Sequence, residues 1–364
     1  MLRLFLNGDS GIDPQGMVIF TDAYNSYATA MLADTDKFIS FVEKQTGGQF
    51  SEAEGGVKVC NNVAINGAQM WLCWSSVTTI DAKAIKNYAT LSENQSFLTK
   101  NVSEPIAEMK TDIAGWADIS TLAKNMLSMG EMAQLNLAVG ALFQDPASVA
   151  VTIDCGKGKM EGHLCVLNDK GDNAKFLLPT KKVDADLVKG IGGTADMLVA
   201  GCITKDFTKK VERMLSSFGG NLFSEYTKAI AQIDGTVGVA CGVRDNGKIP
   251  VNGFAQTDGD PGADVMNFLS QFGSTKKDGD MVRFSDGTVS GALDVENTAA
   301  AMKGAWLAAA SSMAANDDSG LKTIEGKLVP DDGGLRLDVT VTAKDNSKNI
   351  LLTVLKDFSK RSAY

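Results

Sequence analysis

The sequence predicts an α+β fold made of repeated modules, each a strand, a helix, a hairpin and a second helix, with mostly antiparallel sheets covered by helices. Three observations support this prediction. Short apolar or alternating stretches bounded by turn residues are typical of strands, and apolar residues recur between them at helical spacing. Hairpin patterns recur about every 80 residues, which favours a repeated unit. With 364 residues, 44% of them hydrophobic, the chain is long enough for a sizeable core.

The clearest copy of the module spans residues 197–273. Its first strand covers 197–203, and the helix that follows ends at Gly219, because glycine favours helix termination. The segment 236–254 predicts a hairpin, since Asp-Asn-Gly between apolar stretches is a strong turn signal. A closing helix that begins at Ala263 completes the copy.

Two other regions follow the same order of elements. In the first, a strand at 113–119 precedes a hairpin at 149–167 and a helix at 184–191. In the second, a strand at 305–310 precedes the hairpin strand at 335–343, which follows an Asp-Asp-Gly-Gly turn and leads into a final helix. The three hairpins therefore lie at similar places in three copies.

The N-terminal region shows only the second half of a module, as two strands within residues 17–32 followed by a helix. We therefore expect an N-terminal α+β module at residues 1–103 in which the first half of a repeat is missing. Central repeat modules are expected at 104–275 and a C-terminal α+β module at 276–364. The first boundary follows from the polar composition of residues 91–105.

The charge balance argues against a nucleic-acid partner. The chain has 35 Lys and Arg residues against 44 Asp and Glu, a formal charge of −9, whereas binding to phosphate backbones depends on cationic side chains. The single histidine, His163, removes most histidine-based metal sites and leaves acid–base catalysis largely to carboxylates and lysines. No stretch approaches the roughly 20 apolar residues that span a bilayer, so no transmembrane segment is expected.

Sequences that resemble catalytic motifs lack the context that their chemistry needs. Gly8, Asp9 and Ser10 follow an apolar run as in serine esterases, but the histidine base of such enzymes lies near the C-terminus, whereas His163 is mid-chain in a predicted hairpin strand. The segment 242–248 matches a phosphate-loop pattern, yet it bridges a hairpin instead of opening a helix. We therefore predict no catalytic, cofactor-binding or metal-binding residues.

Polar clusters elsewhere are interpreted as turns. Residues 274–277 and 319–322 fit Ser-x-x-Lys, without the accompanying elements of the enzymes that use this motif. Asp258, Asp260 and Asp264 could offer oxygen ligands to calcium, but they do not fit the twelve-residue loop pattern. A solvated turn followed by a helix cap is the simpler interpretation.

The cysteines and tryptophans are expected in the core. Neither a CxxC pair nor a regular spacing occurs among the cysteines, which lie in or beside apolar stretches, so they predict small buried residues. A disulfide between Cys60 and Cys73 remains open. The tryptophans could line a carbohydrate or peptide groove, but equivalent places in the repeats favour packing; they are Trp71, Trp74, Trp116 and Trp306.

Three segments give the chain a family resemblance. They are residues 10–14 with the strand at 18–21, residues 112–122 (DIAGWADISTL) and residues 234–240 before a hairpin. Together they resemble an uncharacterised family of Bacteroidetes cell-envelope lipoproteins that is known as a domain of unknown function. The resemblance implies a secreted, extracytoplasmic protein of periplasmic or outer-membrane location, with a possible lipid anchor in the full-length precursor and no assigned activity.

The leading functional hypothesis is a non-enzymatic cell-envelope protein that acts as a modular binding or scaffold protein for a protein or glycan partner and needs no cofactor. Repeated structural elements are evident in the sequence, while no nucleophile, base or metal set has the context it needs. Two alternatives remain open: an extracytoplasmic hydrolase that uses carboxylates or a Ser/Lys pair, and a carrier of a small ligand. Two carboxylates in a cleft would favour the hydrolase, and a deep pocket with convergent polar groups would favour the carrier.

Overall fold

A computed structural model of the protein describes residues 10–13, 17–21, 26–74, 82–89, 111–119, 140, 142–210, 228–242, 248–313, 320–351 and 353–354. The chain divides into two compact units. The first unit comprises Met1–Ser103 and Thr121–Met129, and the second comprises Glu104–Ser120 and Gly130–Tyr364.

The first unit contains a six-stranded antiparallel sheet. Its described elements are β1 (Val18–Thr21), β2 (Ser26–Met31), α1 (Thr35–Thr46), β3 (Ser51–Glu52), β4 (Lys58–Cys60), β5 (Val63–Asn66), β6 (Gln69–Trp74) and α2 (Ala82–Ala89). The strand order is β1-β2-β6-β5-β4-β3, and a 3-10 turn at Glu54–Gly56 lies between β3 and β4.

Helices pack on both faces of this sheet, because neighbouring residues of β6 point to opposite sides. Met70 belongs to the buried cluster around Phe38 of α1, whereas Trp71 belongs to the cluster around Ile85 of α2. The Asp34 side chain accepts a hydrogen bond from the backbone N–H of Lys37 and so caps α1, and Gly47 ends the helix in the left-handed region.

The second unit is built mainly from long strands. These are β7 (Ile113–Asp118), β8 (Ser148–Cys155), β9 (Lys159–Leu167), β10 (Thr194–Ala195), β11 (Met197–Ile203), β12 (Ile233–Cys241), β13 (Val251–Thr257), β14 (Ser274–Asp278), β15 (Met281–Asp286), β16 (Leu293–Asp294), β17 (Leu307–Ser312), β18 (Leu321–Asp331) and β19 (Gly334–Ala343). The helices of this unit that are described over their full extent are short, namely α3 (Ala185–Lys189), α4 (Ala263–Leu269), a 3-10 turn at Ser270–Phe272, and α5 (Val295–Ala301). Residues 205–210, 228–230, 350–351 and 353–354 are also helical.

Eleven of these strands form one continuous antiparallel sheet in the order β14-β15-β13-β12-β11-β17-β18-β19-β9-β8-β7, while β10 and β16 form a separate pair. Local hairpins account for much of the order, as in β8-β9, β12-β13 and β18-β19. Two long-range pairings connect these parts, because β11 pairs with β17 and β19 pairs with β9. The middle of the sheet therefore brings together strands from distant parts of the sequence.

Short helices cover this sheet in patches on both faces. Val188 of α3 and Val295 of α5 share a buried cluster with Phe254 of β13. Val265 of α4 instead packs with Ala255, the next residue of β13, on the other face. The same face of the sheet on which α3 and α5 pack carries polar side chains in β18, β19 and β9.

The predicted fold class is wrong in its central feature. The sheets are antiparallel, but they are not helix-covered α+β repeats: the hairpin strands continue into one eleven-stranded sheet, and α3, α4 and α5 have only five, seven and seven residues. The physical reason lies at the hairpin edges. The unpaired backbone N–H and C=O groups at the edge of a hairpin need hydrogen-bond partners. Because the edges of two hairpins pair through these backbone groups, their pairing leaves no local pattern in the sequence.

Most of the local predictions are confirmed where the structure describes them. The three hairpins form, and helices occur at the expected places after Asp34, Asp184 and Gly262. The Asn-Gly turn within 243–247 and the helix end at Gly219 lie outside the described residues.

Candidate functional site

A cavity of about 360 Å³ lies in the second unit between α5 and the middle of the large sheet. Thr298, Ala301 and Met302 line it from the side of the helix. Its volume falls within the range of small-molecule sites, which is roughly 300–1,000 Å³. We refer to it as the α5 cavity.

The sheet side of the α5 cavity is polar because the pairing of three strands aligns polar residues. Directly opposite residues of antiparallel strands place their side chains on the same face. Glu325 of β18 lies opposite Thr340 of β19, and Thr340 in turn lies opposite Glu161 of β9. We call the following set the polar floor: Lys159, Glu161, Glu325, Lys327, Asp338 and Thr340, all of which line the cavity.

Small side chains on β17 leave room for the cavity. Ala308 and Ala310 are each about 2% exposed and pack in the cluster that includes α5. They lie opposite Lys327 and Glu325, respectively, on the same face as the polar floor. The α5 cavity is therefore apolar on its β17 side and charged on its β18 and β19 side, an arrangement that suits a ligand with both kinds of surface.

One edge of the polar floor is held by a network of charged side chains. Asp338, which is 9% exposed, has its Oδ1 2.7 Å from His163 Nδ1 and also accepts a 2.7 Å hydrogen bond from Arg336 Nε. Arg336 donates through Nη1 to Asp331 at 2.7 Å. Burial alone would raise the pKa of the Asp338 carboxyl, but the hydrogen bonds from Arg336 and His163 outweigh it and hold that pKa below its usual value. Asp338 is therefore an ionised hydrogen-bond acceptor.

The His163–Asp338 pair resembles part of a catalytic triad, but it lacks a nucleophile. Among the described residues, Asp338 is the hydrogen-bond partner of His163, and no hydroxyl or thiol is bonded to its ring. Cys165 follows two residues later on β9, and burial raises the pKa of its thiol, although the nearby Arg336 guanidinium opposes the effect. A thiol with a raised pKa is a poor nucleophile at neutral pH.

Glu325 and Lys327 differ from the other charges of the polar floor because they have no partner. Lys159 donates to Glu161 at 2.7 Å, and Asp338 belongs to the network described above. Glu325 and Lys327 are half-buried, and within the described part of the chain neither side chain makes an ion pair or a hydrogen bond. The two side chains therefore offer charged groups at the cavity wall that no contact within the described residues engages.

The residues of the candidate motifs found in the sequence have structural roles. The sequence placed Ser274 and Lys277 in a polar loop, but they lie in strand β14 at the edge of the large sheet. Asp258 is paired with Lys205, and Asp260 is 3.0 Å from Lys277. No cluster of three metal-ligating side chains occurs in the part of the chain that the structure describes. Residue 319 and most of 242–248 lie outside that part.

All six cysteines lie in strands, but only half of them are buried as predicted. Cys60, Cys73 and Cys202 are buried, whereas Cys155, Cys165 and Cys241 are half-buried. All six are free, so Cys60 and Cys73 form no disulfide with each other. Trp71 is buried in the core of the first unit, and Trp306 is packed between Phe176 and Phe207 while its Nε1–H donates to the carbonyl oxygen of Cys202 at 2.9 Å. Packing, as expected, accounts for both tryptophans.

Sequence reasoning placed His163 correctly in a hairpin strand but missed both its partner and the polar floor. The sequence does contain a signal: in β18, Thr323, Glu325 and Lys327 alternate with apolar or small residues. Alternation of that kind places the three polar residues on one face.

Among the described residues, no helix is both long enough and apolar enough to cross a bilayer, in agreement with the expected lack of such a segment.

Comparisons with known proteins add no functional assignment. No family model matches the chain, and no curated protein matches it. A solved structure titled "Structure of crystal form III of TP0453" is similar over 78% of this chain and 77% of that chain, with 9% sequence identity and a TM-score of 0.16. A TM-score this low supports no conclusion about fold or function, so the α5 cavity is interpreted from its own residues.

Proposed function

We propose that this protein is a non-enzymatic binding protein that holds a small polar ligand, free or as part of a glycan, in the α5 cavity. The observation that supports the proposal is the polar floor, where charged side chains from three strands line a cavity of about 360 Å³. Binding sites usually combine apolar walls with a few well-placed polar groups. Ala308, Ala310 and Met302 supply the apolar wall, and Glu325 and Lys327 supply charged groups that no other described side chain engages.

A hydrolase is less well supported by the same residues. Glycoside hydrolysis needs one carboxyl group that is protonated and another that is ionised. Glu161 is 2.7 Å from Lys159, and Asp338 accepts hydrogen bonds from His163 and Arg336. The hydrogen bonds from Arg336 and His163 hold the pKa of the Asp338 carboxyl below its usual value, so Asp338 does not suit the role of general acid.

The cell-envelope location belongs to the same proposal and is supported by the family resemblance of residues 10–21, 112–122 and 234–240. It is tested separately from the binding site, by fractionating cells that express the full-length protein. Recovery with periplasm or envelope membranes would support it. Recovery with the cytosolic fraction would contradict it.

A cavity-blocking variant tests the binding function. Thr340 is half-buried at the centre of the polar floor, and phenylalanine is well tolerated in strands. Thr340→Phe should therefore fill the α5 cavity without breaking the sheet. Thr275→Phe is the matched control, since Thr275 is also half-buried in a strand but lies outside the cavity.

Ligand-detected NMR would compare the wild-type protein and both variants against glucose, N-acetylglucosamine, glucosamine, 4-aminobutyrate and glutarate. We expect at least one compound to bind to wild type and Thr275→Phe and to lose about tenfold or more in affinity on Thr340→Phe, because the binding surface is removed. Binding that Thr340→Phe leaves unchanged, or no binding by any compound, would refute the proposal. If the protein turns over a glycan or a peptide and Thr340→Phe abolishes that turnover, the hydrolase hypothesis would replace the binding proposal.

A further inference from the structure

The unpartnered charges of the α5 cavity have opposite signs and a fixed spacing. Glu325 and Lys327 are separated by one residue on β18, so both side chains point to the same face of the sheet. Their Cα atoms are therefore about 6.6 Å apart, twice the rise of a strand residue. Both are half-buried and line the cavity.

In the described part of the chain, the residues across from Glu325 and Lys327 make no hydrogen bond or ion pair with these two side chains. Lys327 lies directly opposite Asp338, but the two oxygens of Asp338 already accept from His163 and from the Nε and Nη2 of Arg336. On either side of Glu325 lie Thr340 and Ala310, which carry no charge. The local fold thus keeps one anion and one cation available at the cavity wall.

We propose that the α5 cavity binds a small zwitterion, a molecule that carries an ammonium group for Glu325 and a carboxylate or other anionic group for Lys327. This inference rests on the proposed binding function and specifies its ligand class. An uncharged ligand would pair with neither charge, and a singly charged ligand would pair with only one of them. A zwitterion satisfies both charges. Ala308, Ala310 and Met302 would contact the hydrocarbon that joins its two charged groups.

The probe for this inference is 4-aminobutyrate, with butyrate and butylammonium as its singly charged counterparts. Isothermal titration calorimetry at low salt should give the zwitterion at least tenfold higher affinity than either counterpart, because a hydrogen-bonded charge pair is lost in each case. Glu325→Gln and Lys327→Gln should each weaken the binding of 4-aminobutyrate about tenfold. Glu296→Gln and Lys322→Gln are controls at exposed positions outside the cavity and should leave it unchanged.

Charge reversal distinguishes a lost contact from a misfolded variant, because each charge-reversed variant is expected to gain affinity for a new ligand. Glu325→Lys creates a site with two cations, which should lose 4-aminobutyrate and gain glutarate. Lys327→Glu creates a site with two anions, which should gain 1,4-diaminobutane instead. A variant that merely misfolds would gain neither ligand.

The outcomes distinguish this inference from the proposed function. Equal affinity for 4-aminobutyrate, butyrate and butylammonium, or no change of preference on charge reversal, would overturn the zwitterion inference. If a neutral sugar then binds in a way that Thr340→Phe abolishes, the binding function stands and only the ligand class is wrong. If no compound binds in that way, both fail.

Discussion

Replacement of Asp338 by asparagine removes the negative charge at the centre of the charged network and turns one of its two acceptor oxygens into a donor amide. The wild-type carboxylate accepts from His163 Nδ1 and Arg336 Nε, each at 2.7 Å, and is 9% exposed. A hydrogen bond to a charged group contributes about 1.5–3 kcal/mol. The His163 and Arg336 side chains are 42% and 35% exposed, so solvent screens both contacts. We therefore expect Asp338→Asn to lower the free energy of unfolding by about 1–3 kcal/mol at pH 7.

The effect of Asp338→Asn should depend on pH in a defined direction. The pKa of the Asp338 carboxyl is lowered in the folded protein, since the hydrogen bonds from Arg336 and His163 outweigh the effect of burial. A lowered folded-state pKa gives stability that is fully present above the unfolded pKa of about 3.9 and is lost as the pH falls through the folded value. The difference between wild type and variant should therefore persist at neutral pH and shrink below about pH 4.

Urea denaturation monitored by circular dichroism at several pH values measures this difference directly. Asp286→Asn is the control, because Asp286 is exposed at the end of β15 and should change stability by less than about 0.5 kcal/mol. The reasoning is refuted if Asp338→Asn behaves like Asp286→Asn at pH 7. It is also refuted if the loss of stability is the same at pH 3 as at pH 7.

Three further predictions concern packing and thiol chemistry. Phe38→Ala should lower the unfolding free energy of the first unit by about 3–5 kcal/mol in thermal or urea denaturation, since Phe38 is fully buried, whereas Phe272→Ala, at a site 46% exposed, should change stability much less. Gly291→Ala should cost about 1–3 kcal/mol, because its Cβ would overlap the backbone of β10; Gly326→Ala, with open space around its Cβ, should be nearly neutral in the same assay. Burial raises the pKa of the Cys165 thiol, so iodoacetamide should label it at pH 7 more slowly than a free thiol; rapid labelling would instead indicate an activated nucleophile.

Elements with local signals could be predicted from the sequence. Helix α1 begins after Asp34 and ends at Gly47, and both residues are typical of helix ends. The strands of the three hairpins alternate or run apolar between turn residues, which is why their positions were correct. Such signals depend on a few neighbouring residues and need no knowledge of the tertiary fold.

The long-range pairings could not be predicted in the same way. His163 and Asp338 are 175 residues apart in sequence, and they meet only because β9 pairs with β19. The sequence predicts repeated modules covered by helices, and nothing local in it indicates that β11 and β17, from different modules, pair with each other within one sheet. For the α5 cavity, the alternation of Glu325 and Lys327 in β18 indicates a polar face, but α5 closes over that face only in the folded unit.

The central claim is that the α5 cavity is a binding site, and chemical-shift mapping tests it most directly. Isotope-labelled wild-type protein would be titrated with 4-aminobutyrate and with the sugars named above while backbone amide shifts are recorded. We expect the largest changes at residues of the polar floor, such as Glu325, Lys327 and Thr340, and at Met302 beside α5. Changes confined to the first unit or to the edge strands β7 and β14, or no changes with any compound, would contradict the claim.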